Sequence, residues 1–155
     1  MIKINVITKD PNWLRYIKDP SNYLDRKIDK INRKNKKLVK KNIFLSLMLS
    51  GNKEIKNLNK KFRNKNKSTN VLSFPFYTKN ELKKKINKEK EIYLGDIIVN
   101  FYKIKEKNNN KYFKIEFDRL WIHGLVHLFG HDHKKNEDFL NMKKIEDKYF
   151  ELINA

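Results

Sequence analysis

The chain predicts an α/β (α+β) fold: a single-layer mixed sheet of four strands packed with four to five helices. Three observations carry this. Short apolar runs alternate with longer stretches of helical spacing. Turn-forming residues punctuate them. A length of 155 residues with 39% apolar content suffices for one packed core. One domain over residues 1–155 is expected.

Each element has its own signal. Residues 2–8 (IKINVIT) alternate apolar and polar and read as a strand. Residues 21–41 set Tyr23, Leu24, Ile28, Ile31, Leu38 and Val39 at helical spacing, with Ser21 as candidate cap after Pro20. Ile43–Ser50 is a second strand, ended by Gly51. Lys53–Phe62 is a short helix with Ile55, Leu58 and Phe62 on one face. Residues 63–70 form a basic loop running into VLSFPF, a third strand stopped by Pro75. Residues 77–91 lack an apolar face and read as a variable loop or frayed helix. Ile92–Asn100 is the fourth strand. A helix starts at Tyr102–Lys107 and breaks at Asn108-Asn109-Asn110. Phe113–Phe129 is a strong helix ended by Gly130, with Trp121 and Phe129 as core. Residues 136–153 form a last amphipathic helix whose Phe139, Ile145 and Tyr149 cover it.

Composition excludes several classes. There is no Cys, hence no disulfide, thiolate site or cysteine nucleophile. The longest apolar run, Ile43–Leu49, is far short of the ~20 residues of a membrane span. Lys3 and Lys9 interrupt the stretch where a signal peptide needs its apolar core. A cytoplasmic protein without membrane partner or nucleotide cofactor is expected. The net charge of +19 suggests a polyanionic partner. Yet Lys (32), Asn (21) and Ile (17) are all written with A/T-rich codons, so codon drift competes with selection as the source of charge.

The four histidines fall within eleven residues, HGLVHLFGHDH. His123 and His127 stand at i and i+4 on a helix, so both imidazoles can face one point. Gly130 allows the chain to turn back and bring a third imidazole. Three histidines so placed make a divalent-metal site, zinc foremost, one ion per chain, with a position left open for water or substrate. The spacing HxxxHxxGxxH is that of metzincin proteases and favours His133 as third ligand over His131. A zinc protease also needs Glu directly after the first His. Gly124 stands there and supplies no base. Asp132 is placed to orient a ligand or cap a turn.

At this point the chain resembles the YbeY family, bacterial endoribonucleases of ribosomal RNA maturation. HGLVHLFGHDH matches the family's His-Gly-x-x-His-Leu-x-Gly-x-Asp-His motif. Residues 58–76, LNKKFRNKNKSTNVLSFPF, resemble its LNxxYRxKDKPTNVLSFPF segment, and Leu94-Gly95-Asp96-Ile97 resembles its LGDI strand. The resemblance implies a metal-dependent hydrolase that binds zinc through His123, His127 and His133 and uses Arg63. Phe62, Asn66 and Ser68 depart from the family's Tyr, Asp and Pro, and His131 stands where Tyr is common. Loss of that Pro could loosen the loop after Arg63, and His131 could compete as a ligand.

Arg63 also stands out unaided. It is one of five Arg among 32 Lys, and its planar fork grips phosphate where Lys offers a point charge. Lys61, Lys65 and Lys67 flank it and can track a nucleic-acid backbone. Asn70 and Ser73 are candidates for substrate hydrogen bonds. Asp96 lies inside an apolar strand, where a lone carboxylate is costly. It is placed as a histidine-orienting acceptor, a contact for a protein partner, or a turn former. The expected function is a zinc-dependent, single-strand-specific endoribonuclease in small-subunit ribosomal RNA 3′-end maturation and ribosome quality control. Ribosomal RNA, the small subunit and other assembly proteins are its expected partners. Two alternatives stand beside it: a metallohydrolase of another substrate such as peptide, and a non-catalytic, zinc-stabilised ribosome-assembly factor.

Overall fold

The computed structural model describes residues 1–155. Strands β1 (Ile2–Thr8), β2 (Asn42–Ser50), β3 (Val71–Pro75) and β4 (Glu91–Asn100) form one sheet in the order β1-β2-β4-β3. β1, β2 and β4 run parallel, and β3 pairs antiparallel with β4 as an edge strand. Helices α1 (Pro20–Lys34), α2 (Asn52–Arg63), α3 (Lys79–Lys88), α4 (Asn110–Leu128) and α5 (Asn136–Asn154) complete the layers. The expected α+β class and mixed four-stranded sheet are observed, with five helices.

Period-two alternation assigns the faces. Leu45, Leu47, Leu49, Ile97 and Val99 join the main core beneath α1, α4 and α5. Ile98 and Leu72 point the other way and pack with Ile55 of α2. Both faces of the central strands are therefore partly apolar, which is why β2 and β4 read as near-continuous hydrophobic runs.

Several boundaries differ from expectation for local reasons. Asp19, not Ser21, caps α1: its Oδ1 accepts from Asn22 N at 3.1 Å, with Pro20 at the first helical position. The helix stops at Lys34. Leu38 is buried from a turn beyond it, and Val39 is exposed. Of the loop and the frayed helix expected over residues 77–91, the helix forms, over residues 79–88, capped by Thr78 and anchored by the single buried Leu82. The asparagine run starts a helix instead of only breaking one: Asn109 Oδ1 accepts from Lys111 N at 2.9 Å and begins α4. Upstream, only Phe101–Lys103 forms a 3₁₀ turn. A second 3₁₀ turn, Pro11–Arg15, seats Trp13 edge-on to Phe101, Phe113 and Phe117, with its indole donating to Ser50 O at 3.0 Å. Phe139, in the first turn of α5, is exposed and does not cover α4.

One buried carboxylate ties α4 to α1. Asp118 accepts from Trp121 Nε1 (2.9 Å) and Tyr23 OH (2.9 Å) and pairs with Lys27 (3.2 Å). Burial raises its pKa, and Trp121 and Lys27 oppose the rise. Its removal strands the buried Trp121 donor, the half-buried Tyr23 hydroxyl and a lysine. Asp118→Ala is expected to lower unfolding stability by about 3 kcal/mol in urea titration.

Candidate metal centre

α4 delivers His123 and His127 beside the β3 edge. The helix then ends in a Schellman turn: Gly130 N donates to His127 O (2.9 Å) and His131 N to Val126 O (3.3 Å). Gly130 takes φ 95°, a left-handed value that favours glycine, and a Cβ there would lie 2.8 Å from Lys79 Cβ. This turn carries His133 back to the other two. The ligand atoms of His123, His127 and His133 all lie within 4.8 Å of one another. Asp132 Oδ1 accepts from His133 N at 2.8 Å and so fixes the returning backbone.

Hydrogen bonds set the tautomers. His127 Nδ1 lies 2.9 Å from the carbonyl of His131, which can only accept, so Nδ1 carries the proton. His123 Nδ1 meets the carboxylate of Glu146 and carries its proton for the same reason. The two Nε2 atoms then face each other at 3.1 Å. With both rings neutral their lone pairs repel, and a cation shared between them, a proton or a divalent metal, removes the conflict. Two nitrogens on a tetrahedral zinc-sized ion stand about 3.3 Å apart. The donor set therefore fits a divalent metal. His127 titrates below the ordinary imidazole range, by burial first and by His123 next, which keeps it in the neutral form a metal needs.

The histidines open into a cavity of about 600 Å³ that Arg63, Ser73 and Phe76 also line. Arg63 is the last residue of α2, where Asn64 turns the chain with φ 54°. Its guanidinium donates to Ser73 O at 2.7 Å and lies over the Phe74 ring at 5.5 Å. One arm is thus anchored and other N–H donors stay available. Ser73 contributes its carbonyl to this anchor. Lys61, Lys65 and Lys67 are exposed around Arg63 and do not line the cavity. Asn70 lines a smaller cavity of about 270 Å³ behind His123. The His131 imidazole lies on the metal-cavity wall, its pKa lowered by burial and then by Lys79.

Two expectations change. Asp96 orients no histidine: its carboxylate receives the Tyr93 hydroxyl on the α2 face of the sheet, and Gly95 leaves it half-buried there. The orienting carboxylate is Glu146 of α5, which sequence reading missed. Nothing in its spacing links it to the histidines, and only the antiparallel packing of α5 on α4 brings it there. The loop after Arg63 is also tied without its Pro. Ser68 Oγ donates to Asn52 Oδ1 (3.0 Å) and accepts from the buried Asn100 Nδ2 (2.9 Å).

This fold and site define an α+β protein in which three histidines that could hold a metal share a cavity with an arginine. The sequence profile described as Endoribonuclease YbeY matches residues 15–154. A protein named Endoribonuclease YbeY from Pelagibacter ubique is 43% identical over 157 residues, covering 100% of this chain and 98% of its own length. Its namesake from Ehrlichia canis is 33% identical over 99% of this chain and 93% of its own. The solution structure of TM1509 from Thermotoga maritima superposes with TM-score 0.57 at 27% identity, covering 99% of this chain and 89% of that one. The chain belongs to the YbeY endoribonuclease family.

Glu146→Gln is expected to weaken metal binding 10–100-fold, as loss of a ligand-orienting partner does. Competition with a chromophoric chelator at neutral pH measures it.

Proposed function

We propose that this chain is a zinc-dependent endoribonuclease that cleaves single-stranded segments of ribosomal RNA, in cytoplasmic maturation of the small-subunit 3′ end and in ribosome quality control. Family membership supports the nuclease chemistry. The observation that carries the metal dependence is the convergence of three imidazole ligand atoms within 4.8 Å of one another beside Arg63 in one cavity. His123, His127 and His133 would hold the ion, which supplies Lewis-acid polarisation at a phosphoryl oxygen or a water. Arg63 would hold a non-bridging phosphate oxygen and stabilise the charge that grows there as the phosphodiester is attacked. Its anchored arm fixes the direction of the remaining donors, so a lysine does not replace it. Lys61, Lys65 and Lys67 would draw the flanking backbone toward the cavity by counterion release. Gly124 argues against peptide hydrolysis. Its position faces Ile97 of the sheet and has no room for a general base.

Cleavage of an end-labelled small-subunit RNA precursor tests the reading. Zinc-loaded wild type should cut, while chelated protein and His127→Ala should not. Arg63→Ala should keep its metal and lose 10²–10³-fold in kcat, about the effect of removing one oxyanion donor. A 2′,3′-cyclic phosphate on the product would show attack by the RNA 2′-hydroxyl, and its absence attack by water. Equal cutting by all four samples would identify a contaminating nuclease and leave the non-catalytic assembly role.

A further inference from the structure

The metal cavity has one apolar feature that metal binding and phosphate binding do not use. Phe76 follows Pro75 at the end of β3, lines the cavity with Arg63 and the histidines, and is 63% exposed. Isolated exposed apolar side chains are common and carry no meaning alone. Phe76 differs in being held. Its backbone N–H donates to Leu94 O at 2.9 Å, extending the β3–β4 ladder by one bond. Its ring stands nearly perpendicular to Tyr77 (4.9 Å, 86°) and to Tyr93 (5.8 Å, 77°). Tyr93 is itself fixed by its bonds to Asp96 and to Ser46 (3.2 Å). The neighbouring exposed ring, Phe62, is turned elsewhere: it lines an apolar groove with Met48 and Ile98 on the α2 face.

We propose that Phe76 is a base-stacking residue, whose ring receives one unpaired nucleobase next to the phosphodiester held at Arg63 and the histidines. The inference rests on the endoribonuclease reading of the same cavity. A rigid aromatic face beside a phosphate-binding arginine is the pairing by which proteins hold single strands. A cavity of about 600 Å³ has the size of a small-ligand site and takes one nucleotide unit, not a duplex. A paired base keeps its faces covered by its stacked neighbours, so only an unpaired or extruded base can reach the ring. Single-strand preference then follows from shape and stacking without any reader of base edges. Since every base has a π face, Phe76 confers this preference with little selection among bases.

The test is a cycle between protein and substrate. A single-stranded RNA oligomer of mixed sequence is prepared intact and as a series, each member lacking one base. Zinc-loaded wild type, Phe76→Ala, Phe76→Leu and Phe76→Trp are compared by kcat/KM. On intact RNA, Phe76→Ala and Phe76→Leu should each lose about tenfold, chiefly through KM, and Phe76→Trp should retain activity. Phe76→Leu keeps apolar bulk without a π face, so it separates stacking from folding. At one position of the series, removal of the base should cost wild type the same factor and cost Phe76→Ala nothing more. Equal losses for the two proteins at every position, or full activity in Phe76→Leu, would overturn the inference while leaving the nuclease reading intact. Failure of zinc-loaded wild type to cut any oligomer would overturn both.

Discussion

α4 lies so close to β4 that residue 124 has no room for a side chain: a Cβ there would stand 2.7 Å from Ile97 Cγ2. A glycine inside a helix costs about 1 kcal/mol against alanine. Forcing a methyl against a branched side chain of a packed sheet costs about 1–3 kcal/mol. Glycine is therefore the better residue, and the close approach sets the rest of the site. It fixes the height of His123 and His127 over the sheet edge. It brings them to the same cavity as Arg63, which reaches it from α2 and is anchored on the carbonyl of Ser73 in β3. Asp118 and Trp121, on the same helix, lock its other flank to α1 through Tyr23 and Lys27.

Once α4 is placed, the electrostatics of the cluster follow from its neighbours. A carboxylate and a carbonyl each claim one Nδ1 proton, which turns both Nε2 atoms toward each other. Burial and the adjacent imidazole resist protonation of His127, which keeps that ring in the neutral form a cation requires. His133 is the exposed member and comes from the loop, so it is the ligand that depends most on Gly130 and Asp132 for its position. His131 adds its carbonyl to the orientation of His127, which gives this residue a backbone task independent of its side chain.

Much of this was legible in the sequence because it depends on local rules. Alternation and apolar runs located all four strands, and i,i+4 spacing with a following glycine located the three clustered histidines. What depends on tertiary packing was not legible. Glu146 is one of 18 acidic residues and only helix pairing singles it out. α3 has one buried apolar residue, Leu82, too few to register as a face, so the sequence of residues 77–91 leaves loop and frayed helix both open. Trp13 lies in a short turn with no periodicity, although it sits at the centre of the aromatic core. Asparagines at 108–110 carry both a break and a cap, and sequence reading took only the break. Asp96 stands out in an apolar strand, but its partner Tyr93 lies across the bulge at Leu94, and no spacing rule points to it.

In the proposed site three imidazoles, and no more, would hold one metal ion with a position left open beside Arg63. X-ray absorption at the zinc edge of the zinc-loaded chain tests it most directly. The account predicts one zinc per chain, three imidazole nitrogens at about 2.0–2.1 Å and one further light ligand from solvent. A fourth imidazole in the spectrum, which would have to be His131, would close the open position and contradict the account, as would the absence of stoichiometric zinc.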